Sequence, residues 1–312
     1  MKICTGFRRF FPHLVVGIGN FDGFHRGHRR IIEDIKRMAG PKGTPGIITF
    51  RGHTRLTEPR EPGKLLTTVR QRLNYFREAG IAVCWLCDFN KSFAGQPPRD
   101  FVVQQLLGRL GIEGICIGAG FHFGKDRRGT VAQLEKLGRE FGFRVREVPI
   151  VRVDGREVRS SVIRKYVRDG DMARATELLG HEYCLTGRVI RGHGRGKTLG
   201  YPTANFHPEQ LLPAPGVYAA RIRVGAIDRP GMLYVGSHPT FPSDRRPEVI
   251  AEAYIFDWIR ALGGRRIKVY LKKRLREDIT FPNAGALSRQ IRKDEERVRR
   301  MNKIKRSKIY EW

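Results

Sequence analysis

The feature that most constrains this chain is a glycine-rich string at residues 17–28, which reads GIGNFDGFHRGH. A short, mostly apolar run at residues 13–16 precedes it, and the apolar residues of 29–39 recur at helical spacing with charges between them. Strand, turn and helix in this order form the first unit of a doubly wound sheet, whose ligands collect at the carboxyl ends of the strands. The sequence therefore predicts a ligand site at this turn.

The residue types of the turn suit a phosphate ligand. Its glycines allow tight bends and close approach of a ligand, and the helix start offers unpaired N–H groups and a positive dipole end. His25 and His28 are three residues apart, so both can lie on the first helical turn and donate to phosphate oxygens as charge builds up. The alternative interpretation makes Asp22 a helix cap and the histidines incidental surface residues. The complete pattern favours the phosphate site.

Length and composition indicate a globular protein of two domains, with 312 residues and 40% hydrophobic content. No apolar run approaches the roughly 20 residues that span a bilayer, and the start has no signal-peptide pattern, so we expect a soluble cytoplasmic protein. The five cysteines include Cys84 and Cys87 at C-x-x-C spacing, but nothing supplies the second pair of a zinc site, and we interpret all five as core thiols.

The net charge of +29 would attract any polyanion. The basic residues are scattered along the chain instead of being gathered in one recognition helix. Nucleic-acid binding is therefore a secondary hypothesis.

The periodicity divides the chain into two regions. Strands predicted at 13–16, 46–50, 81–86, 114–118 and 143–148 alternate with helices, among them 65–77, 101–110 and one beginning near Val162, which indicates a parallel α/β domain over residues 1–181. Alternation then ceases, and short strands follow at 183–190, 216–224, 231–235, 249–256 and 266–271. These predict a small antiparallel barrel with a terminal helix at about 284–301, forming a second domain over residues 182–312.

A second constellation lies between the first two predicted barrel strands, where residues 187–206 read GRVIRGHGRGKTLGYPTANF. A loop rich in glycine, lysine and arginine can wrap phosphates with its amides and cations. It is not the Walker pattern, because no helix follows it. Thr203 and Asn205 alternate on an extended segment, so both side chains can face one point with oxygens suited to Mg²⁺. By pattern alone, a kinase site and an ordinary glycine-rich loop both remain open.

Both constellations resemble one family. GNFDGxHxGH is similar to the nucleotide-binding signature of HxGH nucleotidylyltransferases, and most resembles the adenylyltransferase half of bacterial bifunctional riboflavin kinase/FAD synthetases. GRGKTLGYPTANF resembles the GxxLGxPTAN signature of riboflavin kinases. Further similarities to this family lie at residues 119–129, 158–164, 216–218, 235–241, 251–257 and 275–281. The resemblance covers nearly the full length in the family's order. It implies an N-terminal Rossmann-like HxGH nucleotidylyltransferase domain followed by a riboflavin kinase-like barrel.

The resemblance also implies substrates, a cofactor and roles for residues. The barrel would phosphorylate riboflavin to FMN with ATP, and the leading domain would transfer AMP from a second ATP to FMN, both with Mg²⁺. Three residues would be catalytic: His25, His28 and Glu252. Thr203 and Asn205 would hold the metal, and Arg276 would contact the flavin. Nucleotide binding would involve Gly19, Asn20, Phe21, Asp22, Gly23, Gly27, His53, Gly124, Arg127, Ser160, Ser161, Arg164, Gly192, Gly194, Gly196, Lys197, Gly200 and Pro202.

Three residues of that set have roles that simple chemistry indicates. Asp22 is expected to orient the turn, because its charge would repel phosphate. Ser160 and Ser161 are expected to cap the following helix.

Two other functions are compatible with parts of the sequence. One is an HxGH nucleotidylyltransferase that acts on another phosphorylated substrate. The other is a basic nucleic-acid-binding protein on the same fold. For the bifunctional enzyme we expect small-molecule partners, no membrane, no nucleic acid, and a monomer or weak oligomer.

Overall fold

The computed structural model describes residues 1–8, 11–51, 65–190, 196, 200–236 and 250–307. The chain forms two compact units, Met1–Ser160 and Ser161–Trp312. None of the helices within the described residues is long and apolar enough to cross a membrane.

The first unit is built on a six-stranded parallel sheet in the order β1-β4-β3-β2-β5-β6. Its strands are β1 (Lys2–Cys4), β2 (Leu14–Ile18), β3 (Thr44–Phe50), β4 (Val83–Cys87), β5 (Ile112–Gly118) and β6 (Arg144–Val148). Its longer helices are α1 (Arg26–Ala39), α2 (Val69–Glu78), Phe101–Leu110 and Val131–Phe141. A small hairpin of β7 (Arg152–Val153) and β8 (Arg156–Glu157) follows β6.

Burial explains why the predicted strands form. Every residue of β2 and β4 is buried, as a strand covered on both faces requires. Helix α1 buries Ile32 and Ile35 in the cluster that covers one face of the sheet. All five predicted strands are confirmed within a few residues, but β1 is missing from the prediction because three residues cannot show a periodic pattern.

Helix α2 begins later than predicted. The sequence suggested a start at Leu65, whereas the helix starts at Val69. Thr68 is its N-cap, because the Thr68 hydroxyl accepts from the Gln71 backbone N–H and the Gln71 side chain accepts from the Thr68 N–H. This reciprocal capping box fixes the start of the helix.

The second unit is a closed antiparallel barrel in the order β10-β13-β12-β11-β14-β9. Its strands are β9 (Tyr183–Ile190), β10 (Thr203–Phe206), β11 (Gly216–Val224), β12 (Ile227–Gly236), β13 (Ile250–Ile255) and β14 (Arg266–Glu277). The predicted barrel is confirmed, and β9 and β11 have the predicted bounds. Strands β12 and β14 are longer than predicted: β12 begins before residue 231, and β14 continues past residue 271. The turns that bound these strands lie beyond the ends of the apolar runs on which the prediction was based.

Three helices accompany the barrel sequence: Ser160–Asp169, Met172–Leu179 and the C-terminal helix Ala284–Ser307. The first starts at Ser160, so the expectation that Ser160 and Ser161 cap a helix near Val162 was wrong; both serines are inside it. The C-terminal helix buries Val298 against Phe256 and Leu275 of the barrel. That contact fixes the helix on one side of the barrel.

The two compact units meet at a different residue from the predicted domain boundary. Contacts group residues 161–179 with the second compact unit, whereas the sequence placed the boundary at 181. The boundary between the two functional domains at residue 181 therefore stays a prediction, and it does not coincide with the boundary between the compact units.

Two candidate phosphate sites

The glycine-rich turn follows β2, which lies between β3 and β5 in the sheet. The chain continues from β2 through α1 to β3 on one side, while β5 and β6 extend the sheet on the other side. The carboxyl end of β2 is therefore the topological switch point, where ligands of such sheets bind. The fold thus places residues 19–28 where the sequence predicted a ligand site.

The backbone of this turn is unusually bent. Phe21, Gly23 and Phe24 have φ values of 50°, 84° and 43°, in the left-handed region. For the two phenylalanines that conformation costs roughly 1–2 kcal/mol each. Aromatic packing offsets it: the Phe21 ring meets Phe76 edge-on at 5.4 Å, and the Phe24 ring stacks on Tyr75 at 4.9 Å. Helix α2 therefore holds the turn in shape.

The two signature histidines lie against each other. Their rings stack with centroids 3.5 Å apart and planes 16° from parallel. His25 is the N-cap of α1, and its Nδ1 accepts from the His28 backbone N–H at 3.3 Å. Since Nδ1 is the acceptor, a neutral His25 carries its proton on Nε2, which is then a donor. The alternative that made Asp22 the helix cap was wrong.

Charge and burial act together on His28. Its pKa lies well below the usual 6.5, first because burial disfavours the charged form, then because of His25 and Arg72 nearby. His28 is therefore a neutral imidazole at physiological pH. Gly27 permits this arrangement, because a Cβ there would lie 3.2 Å from two atoms of the His25 ring.

Asp22 anchors the turn to the segment before α2. Its carboxylate accepts from the backbone N–H groups of Leu66 and Thr67, at 3.1 and 3.0 Å, and from the Thr67 hydroxyl. The Gly23 N–H in turn donates to that hydroxyl at 2.9 Å. Asp22 is buried. These bonds match the orienting role expected for Asp22.

Sequence reasoning missed Arg72, having assigned α2 no chemistry. Arg72 is 1% exposed and contacts the turn directly, since its Nη1 donates to the Asn20 carbonyl. A signal was available: Arg72 and Phe76 are four residues apart, so a cation shares the apolar face of α2. A charge on a buried helix face needs specific partners, which marks the residue for attention.

The other predicted residues of this site are distributed over several segments. Ser160 joins the turn, because its hydroxyl donates to the Asp22 carbonyl at 2.9 Å. Ser161 and Arg164 continue the same helix in the second unit. Arg127 is exposed in the loop after β5, and Gly124 packs against Pro98 in that loop. His53 lies outside the described residues.

Aromatic side chains flank the same edge of the sheet. Phe89 and Phe93 follow β4, with centroids 5.7 Å apart, and Phe50 ends β3. After β5, Phe121 stacks on Phe123 at 5.8 Å. Phe89, Phe93 and Phe121 are partly exposed. This edge therefore offers flat apolar surfaces close to the carboxyl ends of three strands.

The second site lies on β10 and β13. Asn205 is directly opposite Glu252 in the antiparallel register, and the Thr203 hydroxyl donates to Glu252 Oε2 at 3.3 Å. The neighbouring Ala204 and Ala253 point into the core. Alternation therefore puts Thr203, Asn205 and Glu252 on one face, where the sequence expected them to converge.

The C-terminal helix supports this face. Tyr254 is opposite Thr203 in the register, and its hydroxyl bonds to Glu295 of the helix at 3.3 Å. The Tyr201 ring meets the Tyr254 ring edge-on at 5.6 Å. Burial, followed by Glu295, raises the pKa of Tyr254 to about 12, so the phenol is neutral at physiological pH. Sequence reasoning did not predict this support.

The glycine-rich loop before β10 is described only in part. The Gly196 carbonyl accepts from the Tyr201 N–H at 2.7 Å, and a Cβ on Gly196 would lie 2.9 Å from Thr203 Oγ1. Glycine is required at 196 because this residue lies directly against Thr203. Gly200 and Pro202 are exposed. Gly192, Gly194 and Lys197 lie outside the described residues.

Arg276, the predicted flavin contact, already has partners in the protein. Its Nε donates to Asp294 of the C-terminal helix at 2.8 Å, and its guanidinium lies 5.5 Å from the Phe281 ring centre. Asp294 also accepts from the Gln290 side chain. Arg276 therefore ties β14 to the C-terminal helix.

Comparison with known proteins gives matches over both units. The FAD synthetase family model matches residues 9–162, and the riboflavin kinase family model matches residues 179–302. Bifunctional riboflavin kinase/FMN adenylyltransferases from Escherichia coli K12 and Bacillus subtilis 168 are each 32% identical, over 90% of this chain and 90% of their own.

One solved structure is similar over almost the whole chain. A crystal structure from Streptococcus pneumoniae, titled a macrolide-efflux protein, has a TM-score of 0.82 and 27% identity, covering 93% of this chain and 95% of its own.

Proposed function

Because the chain belongs to the family of bifunctional riboflavin kinase/FMN adenylyltransferases, we propose that it makes FAD from riboflavin in two ATP-dependent steps. The observation that carries this proposal is the presence of two chemically different sites on one chain. One is the stacked imidazole pair of His25 and His28 at a helix start. The other is the oxygen cluster of Thr203, Asn205 and Glu252 on a barrel.

In the first step the barrel phosphorylates riboflavin. Glu252 accepts the proton of the ribityl 5′-hydroxyl, whose oxygen bonds to the γ-phosphorus of ATP as the bond to ADP breaks. Glu252 suits this role because the Thr203 hydroxyl, 3.3 Å away, orients its carboxylate. The glycine-rich loop 192–200, including Gly192, Gly194, Gly196, Lys197 and Gly200, is assigned to the phosphates, together with Pro202.

The residues on this face also fit a magnesium ion. Thr203 and Asn205 offer neutral oxygens beside the Glu252 carboxylate, which are hard ligands. Within the described residues there is no cluster of three or more His, Cys, Asp and Glu side chains. Mg²⁺ commonly takes one or two protein ligands and completes its shell with phosphates and water. A bound Mg²⁺ would neutralise charge on the phosphates, held by Thr203 and Asn205.

In the second step the leading domain joins AMP to FMN. An oxygen of the FMN phosphate bonds to the α-phosphorus of ATP, and pyrophosphate leaves. That phosphate is already ionised, so no general base is needed, and positioning with charge stabilisation suffices. His25 Nε2–H and the positive dipole end of α1 are the groups assigned to the phosphates. Neutral His28 avoids a fixed positive charge that would hold pyrophosphate after the reaction.

The remaining assignments follow the same logic. Gly19, Asn20, Phe21, Asp22, Gly23 and Gly27 shape the turn for the nucleotide, and His53, Gly124, Arg127, Ser160, Ser161 and Arg164 are assigned to its phosphates. The partly exposed rings of Phe89, Phe93 and Phe121 suit the planar flavin of FMN. Arg276 is assigned to closing over riboflavin in the barrel.

We place both reactions in the cytoplasm, since all five cysteines are free thiols and ATP is the donor.

One assay tests the proposal directly. Purified protein is incubated with riboflavin, ATP and Mg²⁺, and the flavins are separated by chromatography over time. We expect FMN to appear first and FAD to follow with release of pyrophosphate. Absence of FMN, with pyrophosphate release on another phosphorylated substrate, would indicate a different nucleotidylyltransferase. Absence of both products, with steeply salt-dependent RNA binding, would indicate the nucleic-acid-binding alternative.

A further inference from the structure

We propose that Arg72 is a positioning residue for adenylyl transfer: it fixes the carbonyl of Asn20 and thereby the phosphate-binding turn. The proposal rests on the transferase function above. It assigns a task to helix α2, which contributes no residue to the family signatures described in the sequence.

The contacts of Arg72 define a cross-link between two strand ends. Its Nη1 donates to the Asn20 carbonyl at 2.5 Å and to the Thr49 hydroxyl at 3.1 Å, and its Nη2 donates to the Phe50 carbonyl at 2.9 Å. The Thr49 hydroxyl also donates to the Asn20 carbonyl at 3.3 Å. Asn20 follows β2, and Thr49 and Phe50 end β3. One buried planar group therefore sets the spacing of two neighbouring strands where the ligand binds.

The cross-link acts on the reacting groups through the next residue. Asn20 precedes Phe21, whose left-handed backbone turns its ring to within 5.1 Å of the His28 ring. A shift of the Asn20 carbonyl would therefore move Phe21, His28 and the stacked His25. Arg72 is 1% exposed, and its guanidinium donates to two backbone carbonyls and one hydroxyl, so its role is not that of a surface ion pair.

The charge of Arg72 adds a second effect. His25 and Arg72 are the charged or titratable groups that lower the pKa of His28. Arg72 itself faces Asp22 from the turn and Cys84 from β4, while burial lowers its pKa. Arg72 therefore helps to keep His28 neutral while its guanidinium holds the turn. A residue with a purely structural role elsewhere in the core would not change the titration of His28.

Three variants separate these effects. Arg72→Gln removes both the positive charge and the planar guanidinium group. Arg72→Lys keeps the charge, but its ammonium group cannot reach three acceptors as the guanidinium does. Arg70→Gln is the matched control, since Arg70 is exposed on the same helix. Each full-length variant is assayed for riboflavin phosphorylation and for adenylation of supplied FMN, and His28 is titrated by NMR of its ring carbons, assigned with His28→Asn.

For Arg72→Gln we expect the kcat of adenylation to fall about tenfold or more, while phosphorylation stays within about twofold. The pKa of His28 should rise by roughly half a unit or more. Arg72→Lys should leave that pKa low and still reduce kcat, and Arg70→Gln should change neither quantity.

The proposal is overturned if folded Arg72→Gln keeps the wild-type adenylation rate and an unchanged His28 pKa. Should Arg72→Gln fail to fold, Arg72→Lys and Thr49→Val decide instead: lowered adenylation with normal phosphorylation supports the proposal, and adenylation within twofold in both overturns it. If the wild-type protein phosphorylates riboflavin but never adenylates FMN, the proposed function fails, and the NMR titration still tests the effect on His28.

Discussion

The two candidate phosphate sites of this chain differ both in the chemistry of their side chains and in the scaffold that holds them. In the leading unit, nitrogen donors crowd at the start of a helix, and the nearby carboxylate of Asp22 is occupied with backbone N–H groups of the 66–67 segment. In the barrel, oxygen atoms of Thr203, Asn205 and Glu252 share one face of two strands. The difference follows from the two reactions: an ionised phosphate needs no base, whereas a hydroxyl does.

The rigidity of the two sites also has different origins. The turn of the leading unit depends on left-handed backbone held by aromatic packing and by Arg72. The barrel face depends on strand register, which fixes Asn205 opposite Glu252. Small changes of side-chain volume should therefore disturb the first site more than the second.

The largest effect is expected from Glu252→Gln, which keeps the size of the side chain but removes the proposed general base. Riboflavin phosphorylation should fall about 10³-fold, since a general base contributes 10²–10⁴-fold. Adenylation of supplied FMN should stay within twofold. The measurement is the initial rate of each step by chromatography, and Glu209→Gln, an exposed glutamate of the same unit, is the control. A variant that loses both activities would contradict separate sites.

His28→Ala should produce the reverse pattern. FAD formation from supplied FMN should fall about 10²-fold or more, because the stacked pair and the packing of Phe21 are lost together. Riboflavin phosphorylation should continue at the wild-type rate. His13→Asn is the comparison, since His13 is exposed and its left-handed backbone suits asparagine. Equal losses in both variants would show that the effect is not local to the turn.

Gly27→Ala tests the crowding at the helix start. The added Cβ would press on the His25 ring at 3.2 Å, so we expect adenylation to fall about tenfold. Alanine favours helix more than glycine does, so helix destabilisation cannot explain a loss. Gly6→Ala is a fair control, because its Cβ would meet nothing within 4 Å. Wild-type adenylation in Gly27→Ala would mean that the ring stacking is not needed.

The smallest effect concerns pH. The unfolded chain binds a proton on His28 near pH 6.5, whereas the folded unit does so only well below that pH. Lowering the pH through 6.5 should therefore destabilise the leading unit, by at most about 1.4 kcal/mol per pH unit from this group, with no contribution above that range. Melting temperatures between pH 7 and pH 5 check this, and His28→Asn should show a weaker dependence. Identical slopes in the two proteins would refute a neutral His28.

Sequence predicted the parts of both sites that depend on local pattern. The glycine-rich string located the turn, and the alternation of Thr203 and Asn205 placed these two residues on one face. Glu252, which lies opposite Asn205, was expected only from the family resemblance. Strand pairing was not visible in the sequence, since a three-residue strand such as β1 has no periodicity and the ends of β14 are set by its partners. Contacts between distant segments were also hidden.

Arg72 makes contacts of this kind, which cannot be read from the sequence. In the sequence it is one of 60 Lys and Arg residues. Only the fold brings α2 to the strand ends, where the guanidinium meets the carbonyls of Asn20 and Phe50. The capping role of His25 was missed for a related reason: which of several polar residues begins a helix depends on the backbone of the whole turn.

The closure of the barrel has a practical consequence. A closed barrel has no strand edge, whereas β1 and β6 are the outermost strands of the parallel sheet. Exposed edges invite strand addition by another copy. The charged side chains of Arg144, Arg146 and Glu147 discourage it at β6, which leaves β1, with Ile3 exposed, as the less protected edge. Stored or heated preparations should therefore begin to aggregate through the leading unit, and their capacity to make FAD should decline before their capacity to make FMN.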